Sequence, residues 1–172
     1  FNQTKNATLE IANFDGPVYL RFGRPKVANF TDASERFEIG KGKVLIDGTD
    51  VTIVATGHLV WEAILASNEL LNMGIKCEVI NIHTIKPLDK DIILNSVSKT
   101  KCLVSAEEHN IYGGLGESIS RLLATELPSP QEFIGTNDTF GESGTPKELM
   151  EKYCLNSKSI INAVRRVIER KK

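Results

Sequence analysis

Glu107, Glu108 and His109 stand consecutively, and Asn110, Tyr112 and glycines at 113, 114 and 116 follow them. Adjacent carboxylates beside an imidazole make an acid/base set when burial and neighbours tune them toward neutral pH. Neighbouring residues on a loop point apart, however, so the same side chains also suit a polar contact surface. His58 and His83 each follow another apolar, strand-like run, which brings three histidines toward one edge of a sheet. With no aspartate or cysteine set at ligand spacing beside them, that edge reads as a polar interface in preference to a metal site.

The glycines invite a second reading. Gly113-Gly114-x-Gly116 after a strand is like a dinucleotide loop, where backbone amides approach a pyrophosphate at a helix N-terminus. The full pattern needs glycine or alanine at position 119, where this chain has Ile119, and it belongs at the first strand-to-helix turn of a sheet. Gly113, Gly114 and Gly116 therefore read as points of close backbone approach to a neighbouring domain or subunit. Arg21 and Arg24 flank Gly23 in VYLRFGRP, a placement that suits gripping a phosphate or carboxylate, although the residues alone favour two solvated arginines at a strand end. The chain has no phosphate loop of the Gly-Lys-Ser/Thr type and no nucleophile elbow.

Positioning these residues falls to a regular alternation of elements. Val44 to Ile46 reads as a short strand, Asp47 to Asp50 as a hairpin-like turn, and Val51 to Ala55 as a second strand. An apolar helix from Leu59 to Met73 follows, stopped by Gly74. Cys77 to Ile82 is the next strand, and Asp89 to Val97 the next helix, with Asp89 as its N-cap. Cys102 to Ala106 is a strand, a helix runs through Ile119, Leu122 and Leu123, and Gln131 to Gly135 is a further strand. Thr145-Pro146-Lys147-Glu148 is a capping box with proline at the first helical position. The last helix, Ser157 to Arg170, carries Ile160, Ile161, Val164, Val167 and Ile168 on one face. Such alternation predicts a three-layer α/β/α fold, with a mostly parallel sheet of about five strands and one antiparallel edge strand at 44–46.

The beginning of the chain differs. Asn2 to Asn13 has a helical rhythm, closed by Asp15-Gly16-Pro17, and Val18 to Phe22 alternates in the manner of a strand. One helix and one strand cannot bury a core, so this opening reads as the tail of a larger upstream domain. From Pro25 to Lys43 no period holds. The segment reads either as an extended linker or as a long ordered loop packed on the next domain.

In its 172 residues the chain has a net charge of -1, which leaves no electrostatic footprint for nucleic acid or an anionic membrane. No apolar run approaches the roughly 20 residues of a membrane span. Four Asn-x-Thr sequons, at Asn2, Asn6, Asn29 and Asn137, occur without a secretory pattern ahead of them, and the expected location is cytoplasmic. Cys77, Cys102 and Cys154 are odd in number and widely spaced, fitting neither a disulfide framework nor a zinc site.

Five stretches in order, GPVYLRFGRP, DVTIVATG with its apolar helix, CEVINIHTIKPLD, VSAEEHNIYGGLGES and GTNDTFGESGTPKELMEKY, resemble the C-terminal part of transketolase. The likeness is greatest to the split form, in which a separate subunit carries the pyrimidine-binding and C-terminal domains. The resemblance implies that residues 1–26 are the tail of the pyrimidine-binding domain, 27–43 a linker and 44–172 the C-terminal domain. It implies transfer of a two-carbon ketol unit between sugar phosphates in the pentose phosphate pathway. Thiamine diphosphate and a divalent cation such as Mg2+ would serve the complete enzyme, a dimer of complete units. By its place in the motif, Arg24 matches the arginine that holds the substrate phosphate. The cofactor-binding motif of the first domain lies outside this sequence, so no catalytic, cofactor or metal residue is assigned here. The chain alone is expected to be inactive until it meets its thiamine-binding N-terminal subunit or domain. Glu108, His109, Asn110, Tyr112 and the three glycines are expected at a domain or subunit contact. The same architecture serves deoxyxylulose-phosphate synthase and the beta subunit of 2-oxo acid dehydrogenases, and a non-catalytic assembly or regulatory module is the alternative of another class.

Overall fold

A computed structural model of the chain describes residues 1–23 and 26–171. Its elements in order are α1 (Asn2–Ile11), β1 (Lys43–Ile46), β2 (Val51–Ala55), α2 (Leu59–Asn72), β3 (Cys77–Asn81), α3 (Lys90–Thr100), β4 (Leu103–Asn110), α4 (Leu115–Glu126), β5 (Gln131–Thr136), α5 (Pro146–Lys152) and α6 (Ser157–Glu169). The five strands form one sheet in the order β1-β3-β2-β4-β5. All neighbours run parallel except β1 and β3.

The sheet has two dry faces because its central strands are apolar on both sides. On one face Val51, Ile53, Ala55, Val104 and Ala106 pack against α2 and α6, with Leu59, Ala63, Ile160, Val164 and Val167 among the buried partners. On the other, Val54, Ile80 and Leu103 pack against α3 and α4 through Ile93, Val97, Ile119 and Leu123. Each fully buried Ile, Leu or Val contributes about 1.5–3 kcal/mol over its exposed state. The helices start where the chemistry dictates: the Asp89 carboxylate accepts from Ile92 N, and Thr145 with Glu148 forms a reciprocal capping box ahead of Pro146. None of the helices among the described residues is long and apolar enough to cross a membrane.

Three expectations are corrected. The 44–46 strand is the antiparallel edge, but it pairs with β3 and not with β2, so the turn at Asp47 to Asp50 closes no hairpin. That turn is tied instead to the start of β3. Thr49 N and Asp50 N both donate to Lys76 O, Lys76 N donates to the Asp50 carboxylate at 2.7 Å, and a side chain at Gly48 would collide with the Cys77 backbone. Val18 to Phe22 is not a strand: the segment has no ladder partner among the described residues, and Tyr19 is 88% exposed. Finally, β4 does not end at Ala106 but continues to Asn110, so Glu107, Glu108 and His109 lie on a strand end, with irregular register against β5 beyond Ala106.

Residues 27–42 contain no helix or strand, yet they are pinned to their surroundings. Phe30 stacks on Trp61 with ring centroids 6.1 Å apart, Asn2 donates to Thr31 O at 2.5 Å, and Gly42 N donates to the Asp89 carboxylate at 2.9 Å.

Candidate functional site

The carboxyl ends of β2, β3 and β4 open into a cleft of about 700 Å³, whose opposite wall is the irregular segment 14–23. All three histidines reach it: His58 from the start of α2, His83 just after β3, and His109 from the end of β4. Glu107, Glu108, Asn110, Tyr112, Gly113 and Gly114 also line it. The residues singled out from the sequence are thus gathered in one place, except Gly116, which is buried in α4. Arg24, matched to the substrate phosphate, lies outside the described residues.

Period-two alternation along β4 separates the two glutamates. Leu103 faces the α3/α4 side, while Val104 and Ala106 face the α2/α6 side. Glu107 continues the first set. Its carboxylate, 3% exposed, accepts from Leu115 N at 2.8 Å and Gly116 N at 2.7 Å, at the first turn of α4. A carboxylate there satisfies orphan amides and meets the positive end of the helix dipole. Glu108 continues the second set, toward α2, where His58 Nδ1 lies 2.7 Å from its carboxylate.

Glu108 and His109 also meet the segment across the cleft. Arg21 Nη2 stands 3.8 Å from the Glu108 carboxylate, and Arg21 Nη1 donates to His109 Nε2. A guanidinium only donates, so this contact uses His109 Nε2 as an acceptor. Asn110 Nδ2 donates to Asp138 at 2.8 Å, while its side-chain oxygen accepts from Tyr112 N at 3.0 Å. The imidazole of His83 packs against Phe37 with ring centroids 4.1 Å apart and planes tilted by 36°, and burial pushes it toward the neutral form, below its usual 6.5, against the opposing charges of Glu35 and Asp89.

Gly114 and Gly116 make close approaches within this chain. A side chain on Gly114 would collide with the Glu107 carboxylate and stand 2.7 Å from Asn110 O, and one on Gly116 would stand 2.6 Å from Ser105 Oγ and 2.7 Å from Phe133. Gly113 has φ +75°, a left-handed turn that costs glycine nothing. Sequence reasoning missed Gly135, whose added Cβ would lie 2.9 Å from His109 O. It also missed Glu107 as the ligand of α4. Leu103 to Ala106 is apolar on both faces of β4, so no short-range pattern marked that inward position.

These contacts decide what the cleft can hold. The α4 amides that would receive a diphosphate are occupied by Glu107. Among the described residues there is no group of three His, Cys, Asp or Glu side chains arranged to hold a metal ion.

Comparison with known proteins places the fold and these motifs together. Residues 40–160 match the family model described as transketolase, C-terminal domain. A 6-deoxy-6-sulfo-D-fructose transketolase subunit from Clostridium sp. (strain MSTE9) is 41% identical over 98% of this chain and 52% of its own length. A putative transketolase C-terminal section from Methanocaldococcus jannaschii is also 41% identical, over 95% of this chain and 52% of its own length. A solved split-gene transketolase, described as an inactive beta4 tetramer, superposes with a TM-score of 0.97 at 39% identity, covering 99% of this chain and 56% of that one. The chain spans about half the length of the curated relatives it matches. It belongs to the transketolase C-terminal domain family.

Proposed function

We propose that the chain is the C-terminal section of a transketolase, moving a two-carbon ketol unit from a ketose phosphate to an aldose phosphate once joined to its thiamine-binding N-terminal subunit or domain. The observation that carries this reading is the agreement over 99% of the chain with a split-gene transketolase at 39% identity. Thiamine diphosphate and a divalent cation such as Mg2+ serve the complete, cytoplasmic enzyme, a dimer of complete units acting in the pentose phosphate pathway. Alone, the chain is inactive.

Within that enzyme Arg24 holds the anionic end of the substrate. One relative at 41% identity is named for a sulfonated sugar, so both phosphate and sulfonate end groups belong in the assay. Glu108, His109, Asn110, Tyr112 and the glycine turn form the contact between the C-terminal domain and what packs on it. The exposure of Tyr112 and the Arg21 contacts of Glu108 and His109 support that role.

Calorimetry tests the reading. Thiamine diphosphate with Mg2+ titrated into the chain alone should give no saturable heat, whereas the chain mixed with its thiamine-binding partner should be retained by it and bind the cofactor. Saturable binding by the chain alone would contradict the assignment. Retention with no turnover would fit an assembly module instead.

A further inference from the structure

The chain has two Asp-Gly pairs, Asp15-Gly16 and Asp47-Gly48, and the fold holds them in opposite ways. Asp15-Gly16 lies in the turn after α1, inside a run from 12 to 19 in which every residue is exposed. Gly16 has φ +136°, a conformation open to glycine, and a Cβ placed there would meet only the ring of Phe14, at 3.4 Å. Among the described residues, Gly16 N donates no hydrogen bond to the main chain. Asp47 is exposed too, but Gly48 is buried, and a Cβ on it would stand 2.2 Å from the carbonyl carbon of Cys77. The two amides that follow, of Thr49 and Asp50, are fixed to Lys76 O at 3.1 and 2.9 Å.

We propose that Asp15 is a site of spontaneous backbone isomerisation to isoaspartate, and that the fold protects Asp47 from the same reaction. The reaction needs the amide nitrogen of the following residue to swing onto the side-chain carboxyl carbon. Glycine permits this, having no Cβ to crowd the approach and the widest choice of φ and ψ. A C–N bond forms between Gly16 N and the Asp15 side-chain carboxyl carbon, the carboxyl C–O bond breaks, and its hydroxyl leaves with the amide proton as water. Water then opens the cyclic succinimide at either carbonyl. Opening at the main-chain carbonyl leaves the backbone running through the former side chain, with a free α-carboxylate and an unchanged mass. The step consumes no oxidant or reductant. Its product lengthens the main chain ahead of Arg21, the residue that ties this segment to Glu108 and His109. At Gly48 the same swing would have to pull the turn away from β3, so reaction there waits for local opening.

The test incubates the chain at physiological temperature near neutral pH, folded and in denaturing urea, and quantifies isoaspartate at both positions by peptide mapping with electron-transfer fragmentation. In the folded chain isoaspartate should build up at Asp15 at least about tenfold faster than at Asp47, while in urea the two rates should agree within about threefold. Asp15→Glu, at an exposed position, should abolish the signal in its peptide, because glutamate would have to close a larger ring. Equal rates at the two positions in the folded chain, or accumulation at Asp15 only in urea, overturns the proposal. So does a signal that survives Asp15→Glu. A difference of about tenfold that persists in urea would come from the local sequence, and would overturn the protection of Asp47 by the fold.

Discussion

The Glu107 carboxylate accepts a hydrogen bond from Gly116 N at 2.7 Å, closing a nine-residue gap between the end of β4 and the first turn of α4. With its second bond, from Leu115 N, it seals a helix N-terminus that sequence reading would offer to a phosphate. The most chemically suggestive carboxylate of the chain is therefore a structural anchor.

Glu107→Ala should cost about 2–3 kcal/mol, because two buried amides lose a charged acceptor. Glu107→Gln keeps an acceptor oxygen for one amide but turns its NH2 toward the other, so it should also destabilise. Urea denaturation followed by circular dichroism measures both. A loss below about 0.5 kcal/mol for the alanine variant would contradict the anchor.

Gly114→Ala tests the same joint by steric means. Its backbone has φ −91°, which any residue adopts, so the penalty comes from the Glu107 carboxylate and from Asn110 O at 2.7 Å. Destabilisation of about 1–3 kcal/mol is expected, and Glu107→Ala in the same chain should relieve part of it. Strict additivity of the two changes would show that they do not meet.

Acid stability should depend on Glu78. Burial favours its protonated form, but hydrogen bonds from Lys99 and Ser96 and the Lys99 charge outweigh that and hold it below its usual 4.5. A carboxyl depressed in the fold binds its proton more weakly there than in the unfolded chain. Its stabilisation is therefore complete above about pH 4.5 and is lost as pH falls through the lower folded value. In Glu78→Gln the fall in stability between about pH 5 and pH 3 should be shallower than in the parent, and an identical fall would sink the assignment.

Thiol chemistry should single out Cys154, the exposed one. Burial pushes the Cys77 thiol up to about 12 and raises Cys102 as well, so neither presents a thiolate near neutral pH. A chromogenic disulfide reagent should titrate Cys154 in the native chain and the other two only after denaturation. Fast native reaction at Cys77 or Cys102 would mean that the sheet opens at that end.

Local signals carried most of the fold. The Asp89 cap, the Thr145 capping box and the short apolar runs of the central strands mark their elements because each acts within a few residues. Contacts between distant residues were not legible. The partner of β1 is chosen by the Lys76 and Gly48 contacts, and no short-range pattern distinguishes β3 from β2 as that partner. Val18 to Phe22 alternates like a strand, but a strand needs a ladder, and alternation says nothing about whether one is supplied. At the site, types and spacing gathered Glu108, His109, Asn110 and Tyr112 in one cleft. They did not reveal that Glu107 faces α4 or that Arg21 reaches across to His109, since both depend on where segments far apart in sequence come together.

The most direct measurement is ketol transfer as a function of added chain, at a fixed amount of the thiamine-binding subunit with thiamine diphosphate and Mg2+ present. The proposed function predicts no turnover from either component alone, and turnover that rises with added chain and saturates at equal amounts of the two. Ketol transfer by the chain alone, or a saturated complex with no transfer to any phosphorylated or sulfonated sugar, would contradict it.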